Sequence, residues 1–287
     1  MSNGSIDVAV LITHTKPAET DAGVAAACAA ATAAGCELVV SREEADKHPE
    51  ATAEAEVVDE LPGAPDLCIA LGGDGTILSG LRRYGSSVPV FGINYGTIGF
   101  LAAVERDELE DGLAAAFQGG FEQLPLPGLQ AKLAEGVASG LNDISFTRRP
   151  HHRVAELSYR LGGREVGHVR CDGLVAATPV GSTGYNLANG GPILAWGVEG
   201  YVVSFVAPHT LTSRPLVVAP DDVLHVHNLG ERDSVDIAVD GVPHGTLASR
   251  EELEIRFRDG LGCLAQLEGA TFYRRIREKF GRLVDQP

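Results

Sequence analysis

With 287 residues and a 44% apolar composition, the chain is long enough for about two domains and an ordinary buried core. Its formal net charge of −16 repels nucleic-acid backbones and anionic membranes, and no run of eighteen apolar residues offers a membrane span, so neither is expected as a partner. Cys28, Cys36, Cys68, Cys171 and Cys263 form no Cys-x-x-Cys pair, and the opening MSNGSIDVAVLITH has no basic leader, so free thiols in a reducing cytoplasm are expected.

The first third alternates strand and helix. Residues 7–14 (DVAVLITH) read as a buried strand, 19–35 as an alanine-rich helix stopped by Gly35, and CELVVS as a second strand. PDLCIAL (65–71) is a further buried strand, TILSGLRRYG a helix and VPVFGIN (88–94) another strand. Residues 105–120 read as a helix with acids in its first turns, where the helix dipole favours them. Strands spaced by helices predict parallel pairing through crossovers.

From about residue 121 the pattern changes. HRVAELSYRLGGREVGHVR alternates on both sides of Gly162-Gly163, a hairpin signal. YVVSFV, PLVVA, VLHVHNL, VDIAVDG and EELEIRFR continue as short strands, and ATFYRRIREKFGRL (270–283) is helical again. The expected fold class is an α/β N-terminal domain with a parallel sheet (1–120) and a β-rich, sandwich-like C-terminal domain (121–265). The C-terminal helical segment (266–287) is expected to return to the first domain.

The stretch DLCIALGGDGTILSGL (66–81) sets one acid among three glycines where a strand gives way to a helix. Gly72, Gly73 and Gly75 let backbone amides approach a ligand, and the helix beginning near Thr76 aims its N-terminus at the same spot, a corner suited to phosphate. A carboxylate repels phosphate, so Asp74 makes sense if it handles a metal ion or the hydroxyl that attacks the phosphate. The plain alternative is a tight turn in which Asp74 caps the helix. Neither the P-loop nor the Gly-x-Gly-x-x-Gly pattern is present.

CDGLVAATPVGSTGYNLANGGPIL (171–194) repeats the logic: a strand runs into a loop with Ser182, Thr183, Tyr185 and Asn186 among glycines. FGINYGTIGFL (91–101) places Asn94, Gly96 and Gly99 at a strand's carboxyl end, where open α/β sheets form sites. SGLNDISF (139–146) holds Asn142 and Asp143 in a strand-like run; without a bulge, only one of the two faces a given pocket.

Together these pieces resemble the NAD kinase family, in its usual order. The family motifs correspond to Gly72–Thr76, Gly92–Leu101 with Phe100, Asn142-Asp143 and Asp172–Pro192; residues 207–218 and 239–241 match later segments. The resemblance implies phosphorylation of the 2′-hydroxyl on the adenosine ribose of NAD, giving NADP, with ATP or polyphosphate as donor and Mg²⁺ or another divalent metal. It implies Asp74 as general base and donor phosphates cradled by Gly72, Gly73, Gly75, Thr76 and Asn94. It implies NAD contacts from Asp74, Gly75, Phe100, Asn142, Asp143, Asp172, Thr183, Gly184, Tyr185 and Asp240; Asp240 would sit near the substrate or the metal, whose ligands stay unassigned. Asn142 would hold the adenosine, Asp143 the ribose, Thr183 and Tyr185 the adenine, and Asp172 the nicotinamide amide. It further implies a homodimer or homotetramer. The sequence departs from the family pattern at Asp143 (usually Glu), Val180 (Thr or Ser), Gly184 (Ala) and Ala188 (Ser). Alternatives are a silent NAD-binding sensor or another kinase of the diacylglycerol kinase and phosphofructokinase superfamily.

Other polar residues read as structural. His225 and His227 share one strand face without a third ligand, and Ser182 lacks a nucleophile-elbow context. Arg274, Arg275 and Arg277 read as a solvated basic face or ion pairs on the last helix. Only four lysines accompany the acidic surplus, a composition that points to a high-salt cytoplasm.

Overall fold

A computed structural model describes residues 4–97 and 99–281. The described residues up to Pro125, together with those from Gly262 onward, form one compact unit, and Leu126–Leu261 form a second.

In the first unit, β1 (Val8–Thr13) leads to α1 (Pro17–Ala34), which carries a proline in its first turn. Gly35 closes α1 in the left-handed region at φ 71°, returning its amide to the carbonyls of Ala31 and Thr32, as the sequence predicts. Next come β2 (Glu37–Ser41), α2 (Arg42–Lys47), β3 (Glu56–Val58), β4 (Leu67–Gly72), α3 (Asp74–Tyr84), β5 (Val90–Asn94) and β6 (Val104–Glu105). The helix expected over 105–120 divides into a 3₁₀ turn (Arg106–Glu108) and α4 (Leu109–Phe117). A Glu105–Glu108 capping box closes the 3₁₀ turn.

The strands pair in parallel in the order β5-β4-β1-β2-β3, with β6 also on β5. The order reverses direction at the β1/β4 junction, so the loop after β4 stands at a topological switch point. All of β4 and β5 is buried. Ile69, Leu71, Phe91 and Ile93 pack there with Val24 and Ala27 of α1 and Leu113 of α4. This is why both strands read as continuous apolar runs.

The chain leaves this unit along β7 (Glu122–Leu133), which pairs with β8 (Gly136–Gly140). The second unit continues with β9 (Asp143–Arg148), β10 (Ala155–Leu161), β11 (Arg164–Cys171), β12 (Gly173–Ala177), the four-residue α5 (Tyr185–Ala188) and β13 (Tyr201–Val206). It ends with β14 (Leu216–Val218), β15 (Leu224–Asn228), β16 (Val235–Val239), β17 (Val242–Leu247) and most of β18 (Glu252–Gln266). A six-stranded antiparallel sheet runs β14-β13-β12-β9-β16-β17. Antiparallel pairing also joins β11 to β10, β10 to β15, and β15 to the first part of β18. The two layers share one core, in which Tyr159 meets Phe205 at 5.4 Å and Tyr201 stacks on Phe257 at 6.4 Å.

The last part of β18 re-enters the first unit, where Leu264 and Ala265 pair in parallel with β5. α6 (Phe272–Phe280) follows, its Thr271 cap accepting from the Arg274 amide. Residues 282 and 283 of the helix expected over 270–283 lie outside the described residues.

Candidate functional site

Each unit contains a cluster of the sequence-selected residues. In the first, α3 begins at Asp74 itself, with Gly73 as N-cap and no side-chain cap. The capping alternative for Asp74 is thereby replaced. Its Oδ2 accepts from the Phe100 amide at 3.0 Å and its Oδ1 from the Leu101 amide at 2.9 Å. The carboxylate is thus clamped by the loop between β5 and β6, and each oxygen keeps a lone pair.

Glycines make this approach possible. A Cβ built on Gly96 would lie 3.0 Å from the Gly73 Cα, so the loops after β4 and β5 touch backbone to backbone. Asn94 is buried; its Oδ1 accepts from Gly96 N at 2.9 Å and its Nδ2 donates to Glu105 Oε2 at 2.7 Å. Both ends of the carboxamide are engaged in holding the loop. Thr76 and Gly73 are partly exposed, Gly75 is exposed, and Gly72 and Phe100 are buried.

In the second unit, Asp240 and Gly241 form the two-residue turn joining β16 to β17, both at positive φ (48° and 75°). This is the Asp-Gly hairpin geometry. The turn aims the Asp240 carboxylate at a break in the chain between β8 and β9. There Oδ2 accepts from Leu141 N at 3.0 Å, and Oδ1 from Asn142 N at 2.6 Å and Asp143 N at 3.1 Å. The strand-like run expected at 139–146 is therefore interrupted. Asn142 lies outside both strands, and the rule that strand neighbours face opposite sides does not govern the Asn142-Asp143 pair.

The loop after β12 packs against the same break. Thr178 Oγ1 donates to Leu141 O at 2.5 Å and accepts from Gly181 N at 3.0 Å. A Cβ on Gly181 would collide with the Asn142 carbonyl, so this position admits no side chain. Ser182 is buried, donating to Pro179 O and accepting from Leu194 N, a structural role as expected. Val180 is buried, and its carbonyl accepts from Thr183 Oγ1 at 3.2 Å.

Asp143 is 6% exposed, and among the described residues its carboxyl makes no hydrogen bond. Burial, and then the neighbouring Asp240 carboxylate, push it up to about 7, so it is protonated below neutrality. Tyr185 is 37% exposed; burial raises its hydroxyl first, then the charges of Asp143 and Asp172, which sets these three groups in one field. Asp172 is bound by Arg148, whose Nε donates to Oδ1 at 2.6 Å. Gly184 is exposed at the start of α5. Sequence reading did not single out Arg148, nor the role of Asp240 as acceptor of three backbone amides; the Asp-Gly dipeptide after an alternating strand was the available signal for the latter.

Among the described residues, no group of three or more His, Cys, Asp or Glu is arranged to hold a metal ion. His225 Nδ1 lies 3.2 Å from Glu252 Oε1, a side-chain contact between β15 and β18. No helix of the described residues is long and apolar enough to cross a membrane.

The chain is similar to known proteins in sequence and in fold. The sequence model of the ATP-NAD kinase N-terminal domain matches residues 21–121, and that of the ATP-NAD kinase C-terminal domain matches residues 141–260. The NAD kinase of Gemmatimonas aurantiaca is 36% identical over 223 residues, 75% of this chain and 77% of that protein. The NAD kinase of Rhodopirellula baltica is 36% identical over 222 residues, 75% of this chain and 71% of its own. Among solved structures, yeast NADH kinase complexed with NADH superposes with a TM-score of 0.84 at 20% identity, covering 99% of this chain and 90% of that one. An NAD kinase from Archaeoglobus fulgidus in complex with ATP gives 0.73 at 23%, covering 98% and 100%; both share the fold. With both domain signatures in order and relatives above 30% identity over most of their length, the chain belongs to the NAD kinase family.

Proposed function

We propose that the chain phosphorylates NAD at the 2′-hydroxyl of its adenosine ribose, with Asp74 as general base and ATP as donor. The observation that carries the assignment of the base is the clamp on Asp74. Two backbone amides fix the carboxylate without using up its lone pairs, at the carboxyl end of a parallel sheet. In the step itself the ribose 2′-oxygen bonds to the γ-phosphorus, the bond from that phosphorus to the β,γ-bridging oxygen breaks, and the hydroxyl proton passes to Asp74. The transition state is loose and the proton leaves late, so an ordinary carboxylate serves.

The family description of the matched domains supports ATP as donor. The α3 N-terminus, with Gly73, Gly75 and Thr76, supplies amide and hydroxyl donors for its phosphates. Asn94 acts on the phosphates only through the loop it braces. Mg²⁺ enters as part of the substrate, on the triphosphate. Asn142, Asp143, Asp172, Thr183, Gly184 and Tyr185 form the NAD-binding half, and Asp240 shapes it by holding the 141–143 backbone. Five buried free thiols fit a reducing cytoplasm. The acidic surplus fits a high-salt one.

A coupled-dehydrogenase assay tests the reading, with NAD or NADH, ATP or polyphosphate, and Mg²⁺ across a salt series. Formation of NADP from NAD and ATP is the expected result. NAD binding without turnover would mark a sensor, and turnover only on a lipid or sugar phosphate would mark another kinase of the superfamily.

A further inference from the structure

Helix α6 carries three arginines, and one of them departs from both the solvated face and the ion pair read in the sequence. Arg274 lies outside, paired with Glu278 at 2.7 Å and 3.7 Å from Glu108. Arg275 is 5% exposed. Its Nη1 donates to Gly99 O at 3.3 Å, and its Nη2 to Ala103 O at 3.3 Å and to Gln266 Oε1 at 3.2 Å. Gln266 in turn donates to Leu101 O at 3.1 Å. The carbonyls of residues 99, 101 and 103 therefore face Arg275 and Gln266, while the amides of residues 100 and 101 face Asp74.

One peptide group belongs to both sets. The Gly99 carbonyl receives Arg275, and the Phe100 amide of the same peptide plane donates to Asp74. A cation at the oxygen polarises the group and strengthens the N–H as a donor. Every hydrogen-bonded acceptor of the guanidinium is neutral, and Nε has no partner among the described residues. Burying such a charge is costly, and an apolar side chain of similar length would serve packing alone better. Among the described residues no carboxylate pairs with it directly, and Glu105, Glu278 and Asp74 reach it only through space. Phe280, one turn on, packs its ring 5.7 Å from Phe100 and braces the same loop.

We propose that Arg275 is a positioning residue for phosphoryl transfer: through the Gly99–Phe100 peptide group, it fixes the Asp74 carboxylate that receives the hydroxyl proton. This rests on the reading of Asp74 as the base.

The test measures kcat, KM for NAD and for ATP, and thermal stability for Arg275→Met, Arg275→Lys, Gln266→Glu and Asp74→Asn. Arg275→Met is expected to lower kcat by about 10- to 100-fold with both KM values within about threefold, because misplacing a reacting group costs the chemical step and not ground-state binding. Arg275→Lys keeps the charge but reaches only one carbonyl, and is expected between that variant and the unaltered chain. Gln266→Glu guards against a misfolded arginine variant. It gives Arg275 an ion-pair partner and removes the donor to Leu101, so stability is expected to hold or rise while kcat falls about tenfold. A merely structural arginine predicts full kcat in that variant. Wild-type kcat in folded Arg275→Met or in Gln266→Glu, with Asp74→Asn inactive, overturns the role given to Arg275. Retained turnover in Asp74→Asn instead overturns the base itself and, with it, this inference.

Discussion

Two aspartates, one in each unit, hold backbone amides with their carboxylates, and the difference between them separates the proposed base from a group that shapes a loop. Asp74 starts a helix, is half-buried, and accepts one amide at each oxygen. Asp240 sits in a strained two-residue turn and accepts three amides, two of them at one oxygen. The first arrangement orients a carboxylate and leaves it able to accept a proton. The second uses the carboxylate to shape a loop and, as a side effect, sets a negative charge beside buried Asp143.

The comparison breaks most sharply at Asp74. Asp74→Asn keeps the size and one acceptor but removes the proposed base, and kcat is expected to fall by about 10²- to 10⁴-fold in the coupled assay. Asp240→Ala should act on the fold before the chemistry. It orphans three backbone amides, and thermal or denaturant unfolding is expected to show a loss of about 2–4 kcal/mol, with KM for NAD raised.

A smaller effect sharpens the Asp143–Asp240 contrast. The Asp143 carboxyl is raised from 3.8 to about 7 in the folded chain, so between those values the native state holds more proton than the unfolded one. Stability contributed by this group is complete below the unfolded value and falls as pH rises toward about 7, with no further change above it. Asp143→Asn, neutral and nearly isosteric, should remove that slope and be the more stable protein at pH 8, by on the order of 2 kcal/mol. Parallel stability curves for the two proteins from pH 4 to 8 would refute the coupling. Smallest of all, Tyr185→Phe should change KM for NAD by about threefold and leave stability alone, since the hydroxyl is on a part-exposed ring.

The sequence was most legible where local rules and tertiary structure agree. The buried strands at 67–72 and 90–94 show as continuous apolar runs because helices cover them. The Gly162-Gly163 hairpin was readable because both residues take positive φ, at 53° and 78°. Long-range geometry was not readable. The strand read in EELEIRFR runs on as β18 to Gln266; Gly260 takes φ 62°, yet the strand continues past it. Pro125 and Pro127 hid β7, since proline argues against a strand interior. Arg275 was misjudged because helical position alone does not reveal that carbonyls 99 and 103 wait for its guanidinium. The acid at 74 stood out by its chemistry among glycines, but the amides that hold it lie 26 and 27 residues away.

The most direct check is a single-turnover measurement on Asp74→Asn, with NAD and Mg·ATP both saturating and their affinities confirmed by calorimetry. Substrates that bind as they do to the unaltered chain, yet yield NADP at a rate at least a hundredfold slower, are what a base fixed by the Phe100 and Leu101 amides predicts. An unchanged rate of NADP formation would contradict it.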